Sequence, residues 1–230
     1  SRAWPPRAIA DSRSRWVPRV VGVVDAGSAL LRVDEDPHAD ASSARTHATT
    51  VSVDARVLVA PLEPARRGPA GHPRFAIRPY PKEWERSATM RDGTRILVRP
   101  VRPEDEPLYG PFFAAVTPQD LRLRFFAPVK EFGHRFIARL TQIDYARAIG
   151  FVAIEEATGN MLGVIRLHAD ANYDSGEYAV LVRSDLKGRG LGYLLMQLII
   201  EYARAEGLAV IEGQVLSENA AMLAMCRELG

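Results

Sequence analysis

The sequence predicts an α/β protein of the α+β kind, a mixed central sheet flanked by helices, and three stretches carry that expectation. Arg147–Glu156 and Met161–Ala169 are apolar runs of strand length joined by Ala157-Thr158-Gly159-Asn160, which reads as a hairpin. Glu177–Val182 is a compact apolar run with β-branched residues between Gly176 and Ser184-Asp185, and reads as a buried strand. Leu191, Leu194, Leu195, Leu198, Ile199 and Tyr202 then recur at helical spacing, marking one face of a helix that Gly207 is placed to end.

In chain order, residues 1–75 differ from the rest. Prolines from Pro5 to Pro73 break the region up, and its middle, Ala39–Ala44, is small and polar. Two apolar runs, Val20–Leu31 and Val51–Ala60, have the character of a strand or a hairpin arm, and neither could bury a core alone. The region reads as partial or poorly ordered, with a linker at Pro61–Pro73. His38, His47 and His72 have no metal-ligand partners at useful spacing and read as solvated loop residues. From Ala76 the text changes. Ala76–Glu85 leads to Gly93–Pro100, which alternates as a strand after the turn signal Asp92-Gly93. Arg102-Pro103-Glu104-Asp105 opens a helix, with proline at the first turn and acids near its positive end. Thr117-Pro118-Gln119-Asp120 opens a second, leading into Leu121–Phe126, and Phe132, Phe136, Ile137 and Leu140 mark a third. After the hairpin, the strand at 177–182 and the helix from Leu191 comes a last strand, Ala209–Val215. The last helix is expected to start at Ser217, a good N-cap residue, with Met222, Leu223, Met225, Cys226 and Leu229 on its apolar side.

The 230 residues leave room for one substantial core with an appendage, and 47% hydrophobic and 25% charged residues are ordinary for a soluble globular protein. A net charge of +2 argues neither for nor against a nucleic-acid partner, but no basic run is dense enough for a phosphate-backbone footprint, so none is expected. The most apolar run, Leu191–Ile200, is too short to span a bilayer, and no membrane partner is expected. The single cysteine, Cys226, rules out an internal disulfide framework and points to a reducing, cytoplasmic setting.

The chemistry concentrates at Lys187-Gly188-Arg189-Gly190-Leu191-Gly192, between strand and helix. A helix starts with backbone N–H groups that have no partner within it, and its dipole favours negative charge there. Glycines allow a tight turn and close approach of a ligand to the backbone. The stretch is therefore an anion cradle suited to a phosphate or pyrophosphate, with Lys187 and Arg189 adding charge; the plainer reading is a glycine-rich turn capping a core helix. The dinucleotide spacing G-x-G-x-x-G fails because Tyr193 stands at the third glycine, and no Gly-Lys-Ser/Thr follows as a Walker motif would require.

Lys187-x-x-Gly190-x-Gly192 resembles the acetyl-CoA loop of the GNAT N-acetyltransferases, Q/R-x-x-G-x-G/A, with lysine in place of the usual Gln or Arg. From about Arg91 to Gly230 the element order is that of the GNAT fold. Ile77-Arg78-Pro79-Tyr80-Pro81, Arg124-Phe125-Phe126, Ile143-Asp144-Tyr145 and Gly176-Glu177-Tyr178-Ala179-Val180 look like the GNAT domain of bacterial Pat-type protein lysine acetyltransferases. In that group the domain is joined to a large acyl-CoA-synthetase-like (ADP-forming) region, and Val51–Val59 resembles the tail of its ATP-grasp part. The resemblance divides the chain into a remnant of that region with a linker, 1–75, and a GNAT domain, 76–230. Two further strands follow the last helix in the family, so the polypeptide is expected to be truncated at both ends.

What the resemblance implies is transfer of an acetyl group from acetyl-CoA to an amine, with no metal. Glu177 stands where many members carry a general base; the plainer reading is a strand-end acid in a salt bridge. The backbone of Val180, Leu181 and Val182 would pair with the pantetheine arm and polarise the thioester carbonyl, and Lys187, Gly188, Arg189, Gly190, Leu191 and Gly192 would hold the pyrophosphate. Asn219 matches an asparagine that contacts the cofactor in many members, and equally reads as a first-turn cap. Cys226 stands where many members have a tyrosine acid and reads as a buried apolar residue. Asp144-Tyr145 reads as turn and core packing, and His134 and His168 receive no role. The implied acceptor is a protein lysine, with acyl-CoA synthetases as targets by family analogy. A small-molecule amine acetyltransferase and a non-catalytic acyl-CoA-sensing module are the alternatives.

Overall fold

A computed structural model of the protein describes residues 23–24, 78–129 and 131–229. The Val51–Ala60 run, the Pro61–Pro73 linker and the three N-terminal histidines lie outside the described residues, as does all of Val20–Leu31 except β1 (Val23–Val24). A six-stranded sheet runs in the order β2 (Arg86–Thr89), β3 (Arg95–Pro100), β4 (Ala148–Glu155), β5 (Met161–Ala169), β6 (Ser175–Val182) and β7 (Val210–Glu212). Its first five strands are antiparallel neighbours, and β7 lies parallel to β6. The short β8 (Val215–Leu216) pairs in parallel with β1. Five helices complete the described fold: α1 (Glu106–Ala114), α2 (Pro118–Phe125), α3 (His134–Thr141), α4 (Leu191–Ala205) and α5 (Ala220–Leu229).

Strand periodicity sorts the core into two layers, because successive side chains point to opposite faces. Under α4, Leu191, Leu195, Leu198, Ile199 and Tyr202 meet Ile96, Val98, Phe151, Ile165 and Leu167. On the opposite face, Tyr109, Phe112 and Phe113 of α1, with Leu121 and Leu140, meet Val152, Val164 and Leu181. Each large apolar side chain buried this way contributes about 1.5–3 kcal/mol. The entry to α1 is fixed by charge: Arg99 forms two hydrogen bonds to the buried Asp105, which also accepts the Arg102 backbone N–H at 2.8 Å. Thr117 caps α2 as expected, its Oγ1 accepting the Asp120 N–H at 3.3 Å.

Three elements differ from the sequence expectation. β2 extends the sheet beyond β3, although Arg-Ser-Ala-Thr shows no apolar alternation; Arg86 anchors it by donating to both oxygens of Glu201 on α4 at 2.7 and 2.9 Å. The last strand is not continuous over Ala209–Val215 but divides into β7 and β8 around Gly213-Gln214. The Tyr178 ring fills the space beside this break, and a Cβ at Gly213 would lie 2.8 Å from its Cζ. The last helix begins at Ala220 rather than at Ser217. Leu216 is still buried at the end of β8, and its carbonyl accepts the Asn219 N–H at 2.9 Å, so Ser217 lies in a turn.

Candidate active site

The helix α4 starts on a loop with no side-chain oxygen to close it. A short 3-10 turn, Ser184–Leu186, leads from β6 to Lys187, and the chain then passes through Gly188 at φ +74° and Gly190 at φ +87°. Those backbone angles suit glycine and strain other residues. Gly190 is the N-cap and supplies no capping side chain, so the first-turn N–H groups of α4 are left open. Gly190, Leu191, Gly192 and Tyr193 face one end of a cavity of about 440 Å³. Arg91, from the turn between β2 and β3, lies against the same loop, 3.3 Å from where a Gly190 Cβ would be.

The cavity runs along β6, and strand register decides which backbone groups face it. The Arg183 N–H donates to Leu162 O, and the Asp170 N–H to Ser175 O, both at 2.9 Å. With Leu181 opposite Val164 and Ala179 opposite Arg166, the odd-numbered residues of β6 are therefore the ones hydrogen-bonded to β5. Val180 and Val182 direct their N–H and C=O groups the other way. On that side β6 is paired with β7 only as far as Glu177 opposite Glu212. Beyond it the two chains diverge, and Val180 and Val182 offer unpaired backbone to the gap. The expectation for Val180, Leu181 and Val182 thus divides: Leu181 lines the cavity but spends its backbone on β5.

At the far end stand Glu177 and Arg124. Glu177 is exposed, directly opposite His168 in the β5–β6 register. Burial, then the charges of Arg166 and Arg124, hold the His168 pKa below the usual imidazole value. Burial and Arg166 push the Arg124 guanidinium down to about 10, with Glu177 opposing, so it is charged at neutral pH.

Of the predicted site residues, Glu177, Val180, Leu181, Val182, Lys187, Gly188, Gly190, Leu191, Gly192 and Asn219 line this one cavity. Arg189 does not; it turns away to Asp92, donating at 2.7 Å. Lys187 forms an ion pair with Asp120, whose carboxylate also accepts from Ser184. Burial alone would raise the Asp120 pKa, but hydrogen bonds from Lys187, Ser184 and Thr117 outweigh it and hold the carboxyl below its ordinary value. Asn219 Oδ1 accepts the Met222 N–H at 3.2 Å, so this residue caps α5 while standing at the cavity wall. Cys226 is buried, and its Sγ shares a hydrogen bond of 3.1 Å with the Tyr178 hydroxyl. Sequence reasoning does not find Arg91, Asp120 or Arg124 as cavity residues. They arrive from a turn and a helix far along the chain, and no local spacing marks them.

The family model described as acetyltransferase (GNAT) domain matches residues 95–230. An acetyltransferase of Pseudomonas aeruginosa is 31% identical over 144 residues, 62% of this chain and 77% of that protein. Acetyltransferase Pat of Mycolicibacterium smegmatis is 31% identical over 145 residues, which cover 61% of this chain and 42% of Pat, so the match spans less than half of that relative. The crystal structure of the GNAT domain of S. lividans PAT superposes with a TM-score of 0.62 at 28% identity, covering 66% of this chain and 90% of that one.

Proposed function

The chain belongs to the GNAT acetyltransferase family, and on that premise we propose that it transfers the acetyl group of acetyl-CoA to a protein lysine side chain, with Glu177 as general base and residues 76–230 as the catalytic domain. One observation carries the reading: an anion cradle at Gly188–Tyr193, open backbone at Val180 and Val182, and the exposed Glu177 carboxylate lie in sequence along a single cavity. The pyrophosphate of acetyl-CoA suits the first, its pantetheine arm the second, and an amine at the thioester carbon the third.

The chemistry then follows. A lysine ammonium has a reference pKa of about 10.4 and must lose a proton before it attacks. The Glu177 carboxylate takes that proton, directly or through a water, a service worth about a hundredfold to ten-thousandfold in rate. The nitrogen attacks the thioester carbonyl carbon, and the oxygen gains negative charge. The N–H of Val180, turned away from β5, is the group that would give that charge fixed stabilisation. Collapse re-forms the carbonyl and expels the CoA thiolate. Cys226, where many members have a tyrosine acid, lies behind Tyr178. The thiolate is a good leaving group, and water protonates it. The Pat-type resemblance supports the protein-lysine acceptor, with acyl-CoA synthetases as the targets to try.

The test is release of free thiol from acetyl-CoA in the presence of lysine peptides and intact acyl-CoA synthetases, with acetyl-lysine identified by mass spectrometry. Acetyl-CoA binding without turnover of any amine would overturn transfer and favour a sensing role.

A further inference from the structure

We propose that the acceptor is an anionic amine, in which a carboxylate stands close to the reacting nitrogen and is held by Arg124 with Arg166 behind it. This rests on the acetyl-transfer reading above and specifies the charge that the acceptor carries, whether it is a protein lysine or a small amine.

The placement comes from register. Arg166 lies opposite Ala179, and His168 opposite Glu177. These alternate residues share the sheet face of Val164 and Leu181, beneath α1 to α3. Arg124 reaches the same place from α2 and lines the cavity with Glu177. The charges acting on Arg124 are those of Arg166 and Glu177. Arg166 donates one N–H to the Arg139 carbonyl at 3.2 Å, and its buried Nε has no partner. The hydroxyl of Tyr109, 1% exposed and acting electrostatically on Arg166, has none either.

Elsewhere the fold matches its half-buried arginines with acids: Arg78 with Glu206, Arg86 with Glu201, Arg99 with Asp105. Among the described residues no carboxylate forms an ion pair with Arg124 or Arg166. The one acid that acts on Arg124 is Glu177, and the reaction needs that carboxylate to receive a proton. His168 is pushed toward neutrality and brings no counter-charge. The acceptor end of the cavity therefore sets two guanidinium groups, Arg124 in its lining and Arg166 behind it on the sheet, against the single exposed Glu177 carboxylate. A guanidinium offers parallel N–H donors that fit a carboxylate two at a time. An acceptor that brings its own carboxylate completes the site, and a polycationic amine meets repulsion there. Two sources carry this chemistry: the α-carboxylate of a free amino acid, and an acidic side chain next to an acceptor lysine.

The experiment uses the full chain, acetyl-CoA and two matched pairs of acceptors. One pair is a lysine peptide with a flanking glutamate and the same peptide with glutamine. The other is a free amino acid and its amide. The anionic member of at least one pair should have the higher kcat/KM, roughly 10- to 100-fold for a charge-assisted hydrogen-bonded pair. The effect should fall mainly on KM. A preference in the peptide pair identifies the protein source, and one in the amino-acid pair the small molecule. Arg124→Met should bring the ratio within that pair close to one, and Arg124→Lys should keep part of it. Calorimetric affinity for acetyl-CoA reports separately whether each variant is folded. Equal turnover within both pairs, or a preference that survives Arg124→Met, overturns the anionic acceptor and leaves acetyl transfer standing. Tight acetyl-CoA binding with turnover of none of the four overturns the anionic acceptor, and the acetyl-transfer reading falls with it when intact acyl-CoA synthetases are not acetylated either.

Discussion

Gly213→Ala isolates the wedge that divides the last strand. A Cβ at this position would lie 2.8, 3.0 and 3.1 Å from Cζ, Cε1 and Cε2 of Tyr178. Carbon atoms prefer about 3.5–4.0 Å, so the overlap is several tenths of an ångström against three atoms of a rigid ring. The ring cannot simply retreat, because its hydroxyl is bonded to the buried Cys226 sulfur at 3.1 Å. Overpacking of this kind costs about 1–3 kcal/mol. At roughly 2–4 °C per kcal/mol for a domain of this size, the melting temperature should fall by about 2–12 °C. Because Tyr178 also lines the cavity, acetyl-CoA affinity should fall with it. The assay is a double-mutant cycle with Tyr178→Leu, read by thermal melts and by acetyl-CoA titration. If the clash is the cause, removing the ring relieves the alanine, and the two changes together cost less than their sum by about 0.5–3 kcal/mol. Additivity to within about 0.5 kcal/mol would refute the steric argument.

Four further outcomes are expected. Glu177→Gln should lower kcat by about a hundredfold to ten-thousandfold while leaving acetyl-CoA affinity intact, and full activity would remove Glu177 as base. Gly190→Asp combines a positive φ, worth about 1–2 kcal/mol of strain, with a carboxylate in an anion cradle; calorimetry should show at least a tenfold (~1.4 kcal/mol) loss of acetyl-CoA affinity. Asn219→Ala should cost about 0.5–2 kcal/mol of stability through the lost cap, and unchanged acetyl-CoA affinity would assign the residue to the cap alone. Asp120 has a folded-state pKa below its ordinary value, so it favours the folded chain above about pH 4 and loses that contribution as acid protonates it. The melting-temperature gap between wild type and Asp120→Asn should therefore shrink from about pH 5 to pH 2, and a constant gap would contradict the ion pair with Lys187.

What the sequence revealed was local. The hairpin of β4 and β5, the apolar stripe of α4 and the glycine loop each depend on residues close in the chain, and all three stand where spacing placed them. β2 was not legible because Arg86 takes its partner, Glu201, from a helix 115 residues away. The break at Gly213 was not legible either, since it needs the ring of a residue from a neighbouring strand. Ser217 and Asn219 are equally good caps by type, and the choice fell to the turn that ties the Asn219 N–H to Leu216. Of the cavity residues, the glycine loop and Glu177 were readable, but Arg91 and Arg124 come from distant elements and join them only in three dimensions.

The alternation along β6 has a consequence for isotope exchange. The amides of Ala179, Leu181 and Arg183 are locked into bonds with β5, while those of Val180 and Val182 face the gap. Amide exchange in the free protein should therefore rise and fall with a period of two residues inside one strand, without any segment unfolding. A molecule that lies in the gap and takes up those two hydrogens would erase the alternation. Deuterium uptake, resolved residue by residue over 179–183, would then count how many of the missing hydrogen bonds an occupant restores.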